Sequence, residues 1–329
     1  MTIDKCDFCS IENRNTTSNH EYDRKIFILR LTLKDFGLAL SVPIIWGMGF
    51  TFAKAGLKEF PPLFLMSLRF ALSALILCWF FPPPVGQFKV IFLLALVSAT
   101  IQYGLTFTGL KGLDASTAVF LVQLEVPFGA LLASIFFKDN LGWLRAFGMA
   151  VAFFGVGLIA GAPSIRNQLF SVFLVVSGAL TWSLGQVMIK KMTSITGFQL
   201  IAWLSFFAGP QMLISSLLIE NGHLESIKNA TIVGWGTVIY LGVIMTAVGY
   251  GIWYHILKKY DVNQAMPFLL LLPVSSIIGA VLFLGERPNL GTMLGGTIII
   301  IGVAIIVFAG QWMASIDKRY QSGKYRETR

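Results

Sequence analysis

The chain is short of charge. Asp, Glu, Lys and Arg make up 12% of its 329 residues, against roughly a quarter of an average soluble domain. The charges present also gather at the ends: twelve of the 41 lie in residues 1–35 and seven in 311–329, which leaves 22 for the 275 residues between. A water-facing globular surface cannot be covered by so few. An ordinary soluble enzyme, a nucleic-acid-binding domain and a disordered chain are therefore excluded. Cysteine and histidine are as scarce, at three each. Cys6 and Cys9 form a CxxC in the polar N-terminal stretch, but His20 alone does not supply the second pair of ligands a zinc site needs. Cys78 sits by itself in an apolar run. No metal, cofactor or disulfide framework is expected. There is no GxxxxGK[ST] loop, which argues against an ATP-driven pump. The first apolar run starts only after 35 polar residues and has no A-x-A-like cleavage site, so no cleavable leader is expected.

What the chain has in abundance is apolar sequence, 56% of residues with a mean hydropathy of +0.75. Crossing about 30 Å of hydrocarbon takes about 20 mostly apolar residues. Runs of that kind fall near 36–56, 61–81, 90–110, 115–137, 141–161, 168–189, 197–219, 231–257, 262–284 and 289–310. Arg69 interrupts the second. The runs are continuous rather than alternating and exceed the roughly ten residues of a barrel strand. An all-α polytopic membrane protein with ten transmembrane helices is expected. With the N-terminus inside, 18 of the 25 Lys and Arg residues fall on the cytoplasmic side, so the positive-inside rule places both termini in the cytoplasm. The basic tail Lys318–Arg329 can touch anionic lipid; it implies no nucleic-acid partner.

The two halves resemble each other at fixed offsets. Trp46 and Lys54 recur as Trp182 and Lys190, 136 residues on. Tyr103-Gly104, Lys111, Asp114, Ala118, Asp139 and Gly155 recur as Tyr250-Gly251, Lys258, Asp261, Ala265, Glu286 and Gly302, 147 residues on. The longer polar loop Glu220–Ala230 accounts for the difference. Each half holds five spans, an odd number, so the second is inserted upside down. The chain then divides into a polar cytoplasmic tail (1–35), a first repeat (36–161), an inverted second repeat (168–310) and a basic cytoplasmic tail (311–329). Inverted repeats are characteristic of secondary transporters that work by alternating access.

The segments IIWGMGFTFAKAGL, PPLFLMSLRF, AVGYGIWYHILKKYD and LGERPNLGTMLGG resemble the EamA branch of the drug/metabolite transporter superfamily, over about residues 36–310. Within that branch the pattern is most similar to bacterial exporters of cysteine, O-acetylserine and other amino-acid metabolites. The resemblance implies a ten-helix exporter in the inner membrane, monomer favoured, with a central cavity, a small-molecule substrate and drive from the proton gradient. Where the similar exporters tend to carry an uncharged residue in the fourth span, this chain has Glu125.

Polar side chains at membrane depth are costly and so are candidates for function. Ser98, Gln102 and Thr106 share one helix face, as do Thr246, Tyr250 and Tyr254, with Trp253 nearby. Together with Tyr103, Gln123 and Glu125 they supply the candidate cavity set: Gln102, Tyr103, Gln123, Glu125, Tyr250, Trp253 and Tyr254. The competing reading makes such residues polar glue between helices, each bond worth about 0.6 kcal/mol. Pro127 and Pro273 remove hydrogen bonds to the carbonyls of Gln123 and Leu269, which are expected to be freed near the midplane. Gly291 and Gly295, and Gly155, Gly157 and Gly161, point to close helix packing. Lys54 and Lys190 fall at span ends, where they snorkel to the interface or form a gating ion pair. His223 is in a loop and His255 is interfacial. Glu125 is the eleventh residue of the run Ala115–Phe137, close to the bilayer centre, where an ionised carboxylate costs about 2.5–3.5 kcal/mol on insertion scales. A carboxyl group neutral when dry and ionised when wet is what proton antiport requires, and Glu125 is the coupling candidate. The alternative is a channel or an intramembrane enzyme on the same duplicated bundle, and the enzyme would need acids and histidines clustered at depth.

Overall fold

The computed structural model describes residues 32–137, 141–163, 165–190, 192, 195–260 and 265–327, with side chains described as far as 309 apart from those of 257, 258 and 266. The Cys6–Cys9 motif and His20, residues Asp139 and Asp261 of the repeat, and the side chains of the basic C-terminal tail lie outside the described residues. Of the described residues, those up to Leu38 belong to one compact unit and those from Ala39 onward to another. In the first, Thr32 Oγ1 donates to Asp35 at 2.7 Å while the Asp35 N–H donates back to Thr32 Oγ1 at 3.2 Å, a reciprocal cap at the start of a helix.

The described residues are helical, with no strand among them. The apolar runs fold as α1 (Leu33–Gly56), α2 (Pro62–Leu77), α3 (Phe88–Gly112), α4 (Ala115–Phe137), α5 (Gly142–Gly161), α6 (Arg166–Lys190), α7 (Gly197–Ile219), α8 (Ile232–Ile256), α9 (Pro267–Leu284) and α10 (Leu290–Ala309). Among the described residues nine of these are long and apolar enough to cross a membrane, and α2 is shorter. It stops at Leu77, ahead of Pro82-Pro83-Pro84, where residues before proline resist helical backbone. Even so, α2 and the chain that follows it to Pro82 reach both ends of α7. Its first N–H groups, on Leu63 and Phe64, donate to Glu220 just past the end of α7 at 2.9 and 3.1 Å. At its other end Gln199 and Trp203, from the start of α7, donate to the carbonyl of Pro82 at 2.8 and 3.1 Å. The loop Glu220–Ala230, expected to be irregular, contains a short helix, His223–Asn229.

Backbone irregularities follow the repeat. In α4 the helix ends at Val122 and restarts at Glu125; in α9 a 3₁₀ segment Met266–Leu271 gives way to α-helix at Leu272. Glu125 and Leu272 are 147 residues apart, the offset of the repeat. Both breaks lie where Pro127 and Pro273 withhold an N–H. The expectation of freed carbonyls does not hold. Gln123 C=O accepts from Val126 N–H at 3.2 Å and Leu269 C=O from the Leu272 N–H, because 3₁₀ spacing supplies a donor one residue earlier than an α-helix does. A π-helical stretch, Leu96–Ile101, interrupts α3, and its counterpart in α8 spans Tyr240–Gly249.

The repeats meet along α5 and α10. A Cβ on Gly155 would stand 2.6 Å from the carbonyl oxygen of Gly295, and one on Gly295 would stand 2.7 Å from that of Gly155. Gly148 and Gly302 face each other likewise, at 2.8 and 2.5 Å. The 147-residue offset carries Gly148 onto Gly295 and Gly155 onto Gly302, so the two pairs exchange, as a two-fold relation between the repeats requires. Gly157 and Gly161 face open space and take no part in this seam. Gly155→Leu forces two backbones apart and is expected to destabilise the protein by about 1–3 kcal/mol or more. Gly157→Leu is expected to leave it unchanged. Thermal unfolding in detergent checks the contrast, and equal shifts for the two variants would refute the seam.

Candidate functional site

Among the described residues one cation is fully buried. Arg69, midway along α2, is 0% exposed. Its Nε donates to Thr246 Oγ1 at 3.2 Å, its Nη2 to the Tyr103 hydroxyl at a long 3.4 Å, and its Nη1 reaches only the sulfur of Met66 at 4.0 Å. The Tyr103 and Phe70 rings cover the guanidinium, with centroids 4.6 and 5.2 Å from Cζ, a cation–π arrangement. Among the described residues no carboxylate pairs with it.

Aromatic side chains from three helices extend from this point. The Tyr103 hydroxyl neighbours that of Tyr250. The Tyr250 ring lies 4.9 Å from that of Trp46 and 6.0 Å from that of Tyr254, and Trp46 lies 5.8 Å from Trp253. Trp46 Nε1 donates to the Met245 carbonyl at 3.2 Å. Tyr103, Tyr250 and Tyr254 are half-buried, and Arg69 sits one layer beneath them. Tyr250 and Tyr254 share a face because they are four residues apart in regular helix. Thr246, within the π stretch, is turned to the same side and satisfies its own hydroxyl hydrogen on the Leu241 carbonyl five residues back, at 2.8 Å. Extra-residue turns of this kind are frequent at functional sites, since they re-aim a helix face.

Of the seven residues expected at the site, Tyr103, Tyr250, Trp253 and Tyr254 come together here. Gln102 turns instead toward α6. The glycines that admit its neighbours lie there: a Cβ on Gly178 would meet Thr106 Oγ1 at 2.2 Å, and one on Gly185 would meet Ser98 Cβ at 2.3 Å. Gln102 Nε2 donates to Thr106 Oγ1 at 3.3 Å and its buried Oε1 has no partner. Gln123 and Glu125 lie at the break in α4, and Ser183 Oγ of α6 donates to the Glu125 carbonyl at 2.8 Å. Arg69 was missed as a site residue. The signal was an ionisable group inside a span, which also reads as the end of one.

At one end of the bundle, carboxylates cap helices that neighbour their own. Gly285, at φ +66, turns the chain so that Glu286 accepts from Ala115 N–H at 2.7 Å, Ser116 N–H at 3.1 Å and Ser116 Oγ at 2.8 Å. Glu59 accepts from Thr231 N–H and Oγ1, both at 2.7 Å. Lys54 closes the end of α3, donating to the carbonyls of Leu110 and Lys111 at 3.0 and 2.9 Å, rather than simply snorkelling. Its repeat partner Lys190 lies over the Phe137 ring, Nζ 4.0 Å from the centroid. In the loop before α4, burial and the neighbouring Glu286 hold the Asp114 carboxyl above the usual aspartate range, with Lys54 opposing them. No group of three His, Cys, Asp or Glu suited to a metal occurs among the described residues.

The profile of the EamA-like transporter family matches the chain twice, over residues 35–161 and 169–308. A protein of Escherichia coli K12 named "Probable amino-acid metabolite efflux pump" is 29% identical over 87% of this chain and 99% of its own length. One of the same name from Salmonella typhimurium LT2 is 30% identical over 84% and 96%. A "Probable terminal-alkyne amino-acid exporter" of Streptantibioticus cattleyicolor is 26% identical over 58% and 64%. A crystal structure sharing 15% identity superposes with a TM-score of 0.58 over 84% of this chain and 98% of its own, a likeness of fold.

The Asp114 environment sets a pH dependence. A raised carboxyl pKa means the folded state holds the proton more tightly than the unfolded state. Its contribution is therefore most favourable at low pH and is lost as pH rises from the ordinary value near 3.8 through the folded-state value. Asp114→Asn is expected to remove that loss, so its melting temperature gains on wild type as pH rises toward neutrality. Glu286→Ala, which leaves the Ala115 and Ser116 N–H groups uncapped, is expected to cost about 1–2 kcal/mol. Melting curves across pH check both signs.

Proposed function

The chain belongs to the EamA-like transporter family, and from that premise we propose that it exports small amino-acid-like metabolites of the cysteine and O-acetylserine class, by proton antiport with alternating access. It is a multi-pass membrane transporter, not an enzyme. The observation that carries the substrate class is the likeness to amino-acid metabolite efflux pumps over nearly their full length. The half-buried tyrosines around Arg69 agree with it, since they offer hydroxyls and ring faces to a small zwitterion. Alternating access is supported by the exchange of the Gly148–Gly302 and Gly155–Gly295 contacts under the repeat offset: two related halves can trade conformations around a midplane site.

In this reading α2 is the tenth span, because α2 and the chain after it reach both ends of α7, and the second repeat is inverted relative to the first. Both termini face the cytoplasm of a bacterial inner membrane, and the transporter works as a monomer. Overexpression is expected to raise extracellular cysteine or O-acetylserine and tolerance to them. A metabolite panel with no change in any amino acid or thiol would remove the substrate class. Uptake into proteoliposomes that saturates and follows an imposed pH gradient separates a transporter from a channel.

Glu125 is the coupling residue of this mechanism. It stands at the restart of a broken helix near the bilayer centre, where ends of half-helices serve as ion and substrate sites in transporters. Water entering the bundle allows it to ionise, and closure returns it to the neutral form, so proton and substrate ammonium compete for one carboxylate. Glu125→Gln keeps size and hydrogen bonding but has no proton to lose. Proteoliposomes carrying it are expected to lose the response of transport to a pH gradient; an unchanged rate and pH profile would move coupling elsewhere.

A further inference from the structure

Arg69 poses an electrostatic problem that the protein alone does not solve. An arginine cannot shed its proton in a protein. A charge held in a low-dielectric interior is strongly unfavourable unless an opposite charge and hydrogen bonds compensate it. Here the compensation is partial. Of the five guanidinium N–H groups, one is well bonded to the Thr246 hydroxyl, one reaches Tyr103 at 3.4 Å, and one faces a thioether at 4.0 Å. Two ring faces add cation–π contact. No anion of the described chain completes the set.

We propose that Arg69 is the anchor for a substrate carboxylate, and that the transported class is therefore defined by a carboxylate rather than by an amine or a thiol. This rests on the export reading above and names the group its site recognises. The unspent donors are those of the guanidinium fork, the geometry that binds a carboxylate through two parallel N–H···O bonds. The weak partner is Tyr103, whose long contact a charge-assisted bond of about 2.8 Å replaces. Tyr103 is half-buried while Arg69 is covered, so a ligand meeting the tyrosines reaches the cation by turning that one side chain aside. The displaced hydroxyl keeps its neighbour Tyr250.

The repeat sharpens the assignment. At the 136-residue offset the counterpart of Arg69 on α7 is Ser205, fully buried with its hydroxyl unpartnered. The site thus has one cation on one side, and takes one carboxylate in one orientation.

The test is a titration of the purified protein in detergent, followed by tryptophan fluorescence, since Trp46 and Trp253 adjoin the cluster. The probes are sodium propionate, which has a carboxylate and no amine; cysteamine, which has an amine and thiol but no carboxylate; L-cysteine, which has all three; and sodium chloride at matched ionic strength. Propionate and L-cysteine are expected to give saturable responses, and cysteamine and chloride none. Arg69→Gln is expected to weaken the propionate response roughly tenfold or more. If that variant fails to fold, Arg69→Lys replaces it: the ammonium keeps the charge but not the fork, so a weakened response supports the proposal and an unchanged one overturns it. Cysteamine matching L-cysteine, chloride matching propionate, Arg69→Gln responding as wild type, or silence toward every carboxylate would each overturn it. Binding of propionate without L-cysteine would keep the Arg69 assignment and remove amino-acid export. Export of cysteine at wild-type affinity by Arg69→Gln would do the reverse.

Discussion

In hydrocarbon no water is at hand to complete a backbone hydrogen bond, so every N–H and C=O has to find its partner inside the chain. The rest of this structure follows from that constraint. It makes the apolar runs helical, and it governs what happens wherever a helix is interrupted. At the break in α4 the Gln123 carbonyl takes the Val126 N–H, and beside it the Glu125 carbonyl, at the restart of the helix, also takes a hydroxyl from Ser183 on a different helix. In α9 the Leu272 carbonyl, Glu125's counterpart, takes Ser275 Oγ at 2.9 Å, and the same hydroxyl lies 2.7 Å from the Pro43 carbonyl of α1. Broken helices are thereby tied to their neighbours by the groups the break exposes. Irregular backbone becomes a joint rather than a defect.

At the loops the same requirement is met by charge. Glu59, Glu220 and Glu286 each leave the helix they follow to cap the start of another, with two or three donors apiece. A carboxylate at a helix N-terminus is favoured by the helix dipole as well as by its hydrogen bonds. These caps all lie where α1, α3, α7 and α9 end. Applied to Glu59 and Glu220, the 136-residue offset leads to Ile195 and Pro84, residues with no carboxylate to offer. The opposite end of the α2–α7 pair is instead joined by stacked Phe81 and Phe198 rings, 5.3 Å apart, and by Trp203 on backbone carbonyls. The scaffold is duplicated, yet its two ends are held by different chemistry, one titratable and one not.

Much of this was legible in the sequence where the rule is local. Proline lacks an N–H whatever surrounds it, and Pro127 and Pro273 stand at breaks, although Pro43 and Pro210 lie inside continuous helix. Apolar runs mark helices for the same reason, and matched residues at a fixed offset mark the repeat. What was hidden depends on partners far along the chain. The Ser98–Gln102–Thr106 stripe is a face by spacing, but only Gly178 and Gly185, some eighty residues on, decide that it packs against α6. The carbonyls below the prolines were expected to be free because α-helical spacing was assumed; 3₁₀ turns supplied their donors. Arg69 reads in the sequence as an interruption of a span, since its meaning lies in Thr246, 177 residues away. The π stretch before Tyr250 has no sequence signature, and it is what brings Thr246 and Tyr250 to bear together on Arg69 and Tyr103.

The repeat is not symmetric in charge. A site between two equal halves, lined by equal residues, holds a ligand as well in one orientation as in the reverse. Tyr103 and Tyr250 are such equals, as are Trp46 and Trp182 by position. Two charged side chains break the equality. Arg69 has Ser205 for its counterpart and Glu125 has Leu272, and each stands at mid-span among residues that are otherwise uncharged. One is a cation held against α3 and α8, the other an acid at the α4 break beside α6. Glu125 is tied to α6 through its backbone carbonyl, and Arg69 has no carboxylate partner among the described residues. Charges kept at depth without a structural partner cost stability continuously. On the reading proposed above, a proton on Glu125 and a carboxylate on Arg69 are what would offset that cost.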